Sequence, residues 1–126
     1  MGTVAYVGRV MVPVTDQDKA IAWYGENLGF TVAVDMPFGE GDRWVEIAAP
    51  EGLANLALVP PHPAYDVGGM TGIALDSRDV KAAHADLRGK GVDCDDLNGD
   101  DGTVPPMFFF RDLDGNSLLL VQARPD

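Results

Sequence analysis

The chain has 126 residues, 46% of them apolar, with 20 acidic against nine basic side chains and a formal net charge of −11. That length suits one domain with a real core. The negative balance opposes nucleic-acid or anionic-membrane binding and favours cationic ligands at long range. No apolar run approaches the roughly 20 residues of a membrane span, the N-terminus lacks a signal-peptide layout, and Cys94 is the only cysteine. A cytoplasmic protein is expected.

Two stretches repeat one plan. Val10 to Val14 alternates as a half-buried strand, Thr15-Asp16-Gln17-Asp18 supplies capping oxygens, and Ala20, Ile21, Tyr24 and Leu28 form a helical stripe ending at Gly29. Strands are then predicted over Thr31 to Met36, Arg43 to Ala49 and Leu53 to Val59. Pro60-Pro61-His62-Pro63 and Gly68-Gly69 interrupt the pattern, because proline lacks a ladder donor, so residues 60–69 read as a linker. In the second copy Gly72 to Leu75 is the strand, Asp76 to Asp79 the cap, and Val80, Ala83 and Leu87 the stripe, closed by Gly89 and Gly91. Val92 to Asp95, Val104 to Arg111 and Ser117 to Gln122 complete a second β-α-β-β-β module. The loop around Phe38, between Gly39 and Gly41 on one side and Pro37 on the other, has the composition of a ligand-lining loop or of a lid over the core edge.

Val10-x-Val12-x-Val14-Thr15-Asp16, Ala20-x-x-Trp23-Tyr24, Leu28-Gly29-Phe30 and the turn Phe110-Arg111-Asp112-x-Asp114-Gly115-Asn116 together resemble the vicinal oxygen chelate superfamily of glyoxalases, bleomycin-resistance proteins and extradiol dioxygenases. The resemblance implies an α+β fold. In it two βαβββ modules, about 5–60 and 70–123 here, form an incompletely closed eight-stranded barrel-like sheet with helices outside and a ligand cavity inside. It also implies metal ligands on the first and last strand of each module. Those positions fall on Arg9, Ala57, Gly72 and Leu119, and their neighbours Val10, Leu56, Ile73 and Leu120 are apolar. An arginine has no lone pair to give, and no other set of His, Cys or carboxylate groups is brought together by the pattern, so no metal and no cofactor are expected. His62 lies in the linker, and His84 on the helical stripe reads as a histidine satisfied against the sheet. The aspartate-rich run Asp93 to Gly102 fails the EF-hand spacing and reads as a solvated loop.

Strand alternation then sorts the expected cavity face. Arg9 and Met11, Trp44 and Glu46, Asn55 and Ala57, and Leu119 share it, while Met107 to Phe110 leaves open either Phe109 or the pair Phe108 and Phe110. A charge there needs a partner, so Arg9 is expected to pair with Glu46. Two functions follow. One is a binding protein sequestering an aromatic or cationic compound such as an antibiotic, with Trp44 and a phenylalanine stacking on it. The other is a glyoxalase-like lyase with Glu46 as general base. A homodimer is expected, with Phe38, Met70 and Met107 helping to bury the contact.

Overall fold

The structure, a computed structural model, describes residues 2–64, 66–99, 101–102 and 104–125. It contains the elements β1 (Arg9–Pro13), α1 (Gln17–Leu28), β2 (Thr31–Phe38), β3 (Asp42–Ala48), β4 (Asn55–Val59), β5 (Met70–Ser77), α2 (Val80–Gly89), β6 (Met107–Arg111) and β7 (Ser117–Gln122). They divide into two compact units, residues 1–67 and 68–126, and the boundary falls inside the proline- and glycine-bearing segment.

The caps act where the sequence places them. Asp16 is extended, with φ −144°, and accepts the Lys19 N–H at 3.0 Å, which starts α1. Gly29 stops it in the left-handed region at φ 79°, where a side chain would be strained. Asp79 likewise accepts from Ala82 N at 3.1 Å, but α2 runs through Gly89, and the left-handed residue is Gly91 at φ 83°.

The first unit carries a four-stranded sheet in the order β1-β4-β3-β2. β1 runs parallel to β4, and the other pairs are antiparallel. Register puts Val12, Val45 and Leu58 in one row and Val10, Ile47 and Leu56 in the next, on one face. Except for half-buried Val10, these side chains are buried, as are Ala20 and Tyr24 of α1, and this apolar layer is the core of the unit. The ring of Tyr24 meets Phe30 edge-on at 5.8 Å. Gln17 bolts the start of α1 to the sheet, donating to the carbonyls of Arg43 and Leu58 at 2.9 Å each.

The second unit has the sheet order β5-β7-β6. Phe108, Phe110, Leu118 and Leu120 are buried with Val80 and Leu87 of α2. His84 packs its ring on Phe108 with centroids 4.6 Å apart, and its Nε2 lies 2.8 Å from the Asp95 carbonyl oxygen, the satisfied role expected of it. In the turn before β7, Asp112 accepts the N–H groups of Asp114 and Asn116 at 2.9 Å and the Asn116 amide at 3.0 Å. Asn116 in turn accepts Gly68 N–H at 2.7 Å, so the turn is a hydrogen-bonded plug.

Two expected strands differ. Val92 to Asp95 forms no strand, which leaves seven strands among the described residues where eight were expected. Only single bridges link Cys94 to Phe110 and Asn98 to Met107, and the register slips by one residue between them. The physical reason is composition: aspartates are poor strand formers, and Arg111 pulls Asp93 and Asp95 onto itself at 2.9 and 2.8 Å. β6 begins at Met107 because Pro105 and Pro106 have no N–H to give the ladder. Asp100, within the acidic run, lies outside the described residues.

Candidate functional site

On the face of the first sheet opposite the Val45 and Ile47 side chains, register places Met11, Ala57 and Glu46 in one row. Arg9 lies opposite Asn55, one pleat further along β1 and β4. Trp44 is two residues before Glu46 and therefore on the same face, paired with Met36 of β2.

Three donors converge on Glu46. Its Oε2 accepts Arg9 Nε–H at 2.8 Å and the Trp44 indole N–H at 2.7 Å, while Oε1 accepts the Asn55 amide at 3.0 Å. The residue is 5% exposed. The Trp44 N–H bond, followed by Asn55 and the Arg9 charge, holds the carboxyl below its ordinary value against the opposing effect of burial. A general base needs an available lone pair and a pKa near the working pH. Glu46 has one acceptor site left, on a buried oxygen, and its pKa is held low, so it is poorly suited to that task; its carboxylate instead fixes an arginine and a tryptophan side by side.

Trp44 carries a second contact, a tilted stack on Phe38 with centroids 5.5 Å apart. Both rings border a cavity of about 320 Å³, whose wall also includes Arg43, Val59, Pro61 and His62. Arg43 is held to Asp18 and Asp35 at 2.9 Å each, and both bonds keep its guanidinium protonated beyond the usual range.

Of the residues expected at the site, Arg9, Trp44, Glu46 and Asn55 form one hydrogen-bonded cluster, with Ala57 beside it and Met11 next to Ala57, half exposed. Phe109 and Leu119 belong to the second unit, where they are direct cross-strand partners. Phe109 shares the face of Leu119, whereas Phe108 and Phe110 are buried on the other, so the ambiguity along β6 resolves in favour of Phe109 on that face. Phe38, Pro61 and His62 were not among the expected site residues. The phenylalanine between Pro37 and the turn glycines Gly39 and Gly41 is the available signal, and the prolines of residues 60–63 read as a linker only.

The four positions at which the resemblance implies metal ligands do not fit a metal. Arg9 is cationic and donates to Glu46, Ala57 and Leu119 have no donor atom, and Gly72 has no side chain. Among the described residues no three His, Cys, Asp or Glu side chains are grouped to hold an ion, and no helix is long and apolar enough to cross a membrane.

Two helices, two small sheets and duplicated β-α-β order define an α+β protein of the glyoxalase and bleomycin-resistance fold. The family model of the Glyoxalase/Bleomycin resistance protein/Dioxygenase superfamily matches residues 6–120, and the chain belongs to that superfamily. The crystal structure of TnmS3, an antibiotic binding protein from Streptomyces sp. CB03234, is similar with a TM-score of 0.86 and 32% identity, over 98% of this chain and 100% of that one. A superfamily member from Sphaerobacter thermophilus DSM 20745 gives a TM-score of 0.87 at 30% identity, over 95% and 98% of the two chains. YetH of Bacillus subtilis (strain 168), itself uncharacterised, is 29% identical over 117 residues, 90% of this chain and 95% of its own length.

Proposed function

We propose that the protein binds and sequesters a small planar aromatic compound, such as an antibiotic, without a metal, and that residues 1–126 act as one cytoplasmic binding domain. The observation that carries this reading is the orientation of Trp44. Its indole N–H is committed to Glu46, its ring adjoins Phe38, and both rings border a cavity walled by Val59, Pro60 and Pro61 and, on its polar side, by Asp42, Arg43 and His62. A tryptophan locked by its polar edge presents a rigid face for stacking at little entropic cost. The likeness to an antibiotic binding protein at 32% identity supports the same reading. The lyase alternative rests on Glu46, whose oxygens are both engaged and whose pKa is lowered, and is correspondingly weaker.

A thermal-shift screen of aromatic antibiotics and metabolites tests this. A true ligand at one hundred times its Kd stabilises the fold by about 2.7 kcal/mol, a shift of several degrees. If no planar aromatic at high micromolar concentration moves the transition, the reading fails.

We also propose a homodimer. Phe38 and Met70 are 60% and 66% exposed, and large apolar side chains left open in this way are typical of contact surfaces. With −11 charges per chain, like-charge repulsion opposes pairing, so the dimer should tighten as salt rises. Light scattering at micromolar concentration is expected to give twice the chain mass in 0.5 M salt, and a monomer mass there contradicts the proposal.

A further inference from the structure

Resting on that binding reading, we propose that Arg9 is the hydrogen-bond donor to the bound molecule. The ligand then carries an acceptor oxygen (carbonyl, phenolate or carboxylate) beside its ring system, and no ammonium there.

Glu46 is the carboxylate of the cluster and the obvious counter-ion for a cation, but three donors already converge on it and it is buried. Oε2 already accepts from Arg9 and Trp44, Oε1 accepts from Asn55, and 5% of the residue is exposed. One acceptor site remains on Oε1, but with so little of the residue open a ligand ammonium reaches it only by pushing aside a neighbouring donor, which is then stranded. Arg9 is in the opposite condition. It spends Nε–H on Glu46, half of its side chain is exposed, at 51%, and its two terminal nitrogens have no hydrogen-bond partner among the described residues. A guanidinium anchored through Nε keeps its outer N–H groups in a fixed plane, a geometry suited to an oxygen acceptor.

Position reinforces charge. Arg9 Nε and Trp44 Nε1 sit 2.8 and 2.7 Å from the same oxygen, so the donor stands immediately beside the stacking ring. One carboxylate thus sets the spacing between a flat surface and a positive fork. The overall −11 charge attracts cations from afar, but at physiological salt that field fades beyond about 8 Å, and groups in direct contact decide the bound state.

The test is calorimetric titration, in 0.15 M salt at pH 7.5, with anthracene-2-carboxylate and with 2-(aminomethyl)anthracene, which share a ring and differ in charge. The wild type should bind the carboxylate at least about tenfold more tightly than the ammonium. Arg9→Gln should erase that preference while still binding the ammonium. Arg9→Lys, which keeps the ion pair but not the planar fork, should retain part of it and serves if the glutamine variant fails to fold. An ammonium bound as tightly as the carboxylate, or a preference that survives Arg9→Gln, overturns the inference while leaving the binding reading intact. Failure of both probes to bind the wild type overturns the reading and the inference together.

Discussion

Replacing Glu46 with alanine is expected to lower stability by about 2–3 kcal/mol, although the side chain removed is polar. The carboxylate leaves three donors behind. Arg9 is half exposed and rehydrates cheaply, whereas the Trp44 and Asn55 donors are partly buried and lose their acceptor. Glu46→Gln keeps one acceptor oxygen and should lose about half as much. The acid limb supplies an independent check. The Glu46 pKa lies below its ordinary 4.5, so its contribution is complete above that value and disappears as pH falls through the lowered folded value. The gap between wild type and Glu46→Gln in urea titrations should therefore be widest near neutrality and close under acid conditions. Asp35, Asp93 and Asp95, also held low by arginines, keep their own acid sensitivity in both proteins. An alanine variant within about 0.5 kcal/mol of wild type contradicts the cluster's energetic role.

Trp44→Ala is expected to reduce affinity for a planar aromatic ligand by about tenfold to a hundredfold, and to leave a cooperative unfolding transition. Trp44 lies on the face away from the apolar core layer and retains partial exposure, so its loss opens no sealed cavity. Trp44→Phe separates its two tasks. It keeps a ring beside Phe38 and abolishes the indole bond to Glu46, so binding should largely return while part of the Glu46-linked stability is lost. Ligand titrations of the three proteins, paired with urea melts, check this. An alanine variant that binds like wild type, or one that does not fold, removes Trp44 as the stacking surface.

Local signals made most of the fold legible. Asp16 and Gly29 bracket α1 because a capping carboxylate and a left-handed residue are each tied to one backbone position. The alternation in Arg43 to Ile47 assigned Trp44 and Glu46 to one face, and the cost of a lone charge linked Arg9 to Glu46. Register was harder. Met107 to Phe110 contains three consecutive phenylalanines, so a period of two leaves no mark, and only pairing with Leu118, Leu119 and Leu120 sorts the rings. Val92 to Asp95 looked like a strand from its valine and its place in the repeat, but ion pairs to Arg111 and a slipped register leave it as isolated bridges. The convergence of Trp44 and Asn55 on Glu46 was beyond sequence reading, since it depends on the direction of an indole edge and on which residue of β4 faces β1. Proline spacing likewise announced a linker and gave no hint that Pro61 and His62 border a cavity with the aromatic pair.

The central claim, that a ligand stacks on Trp44 beside Arg9, is tested most directly by following the two indole N–H and the arginine Nε–H resonances of nitrogen-15-labelled protein during titration with anthracene-2-carboxylate. Trp23 is the internal control, because it belongs to α1 and packs edge-on against Tyr24 at 5.1 Å. The Trp44 indole and Arg9 Nε–H signals should move together and saturate at one ligand per chain while the Trp23 indole stays in place. A saturable titration in which Trp23 moves and Trp44 does not would contradict the account.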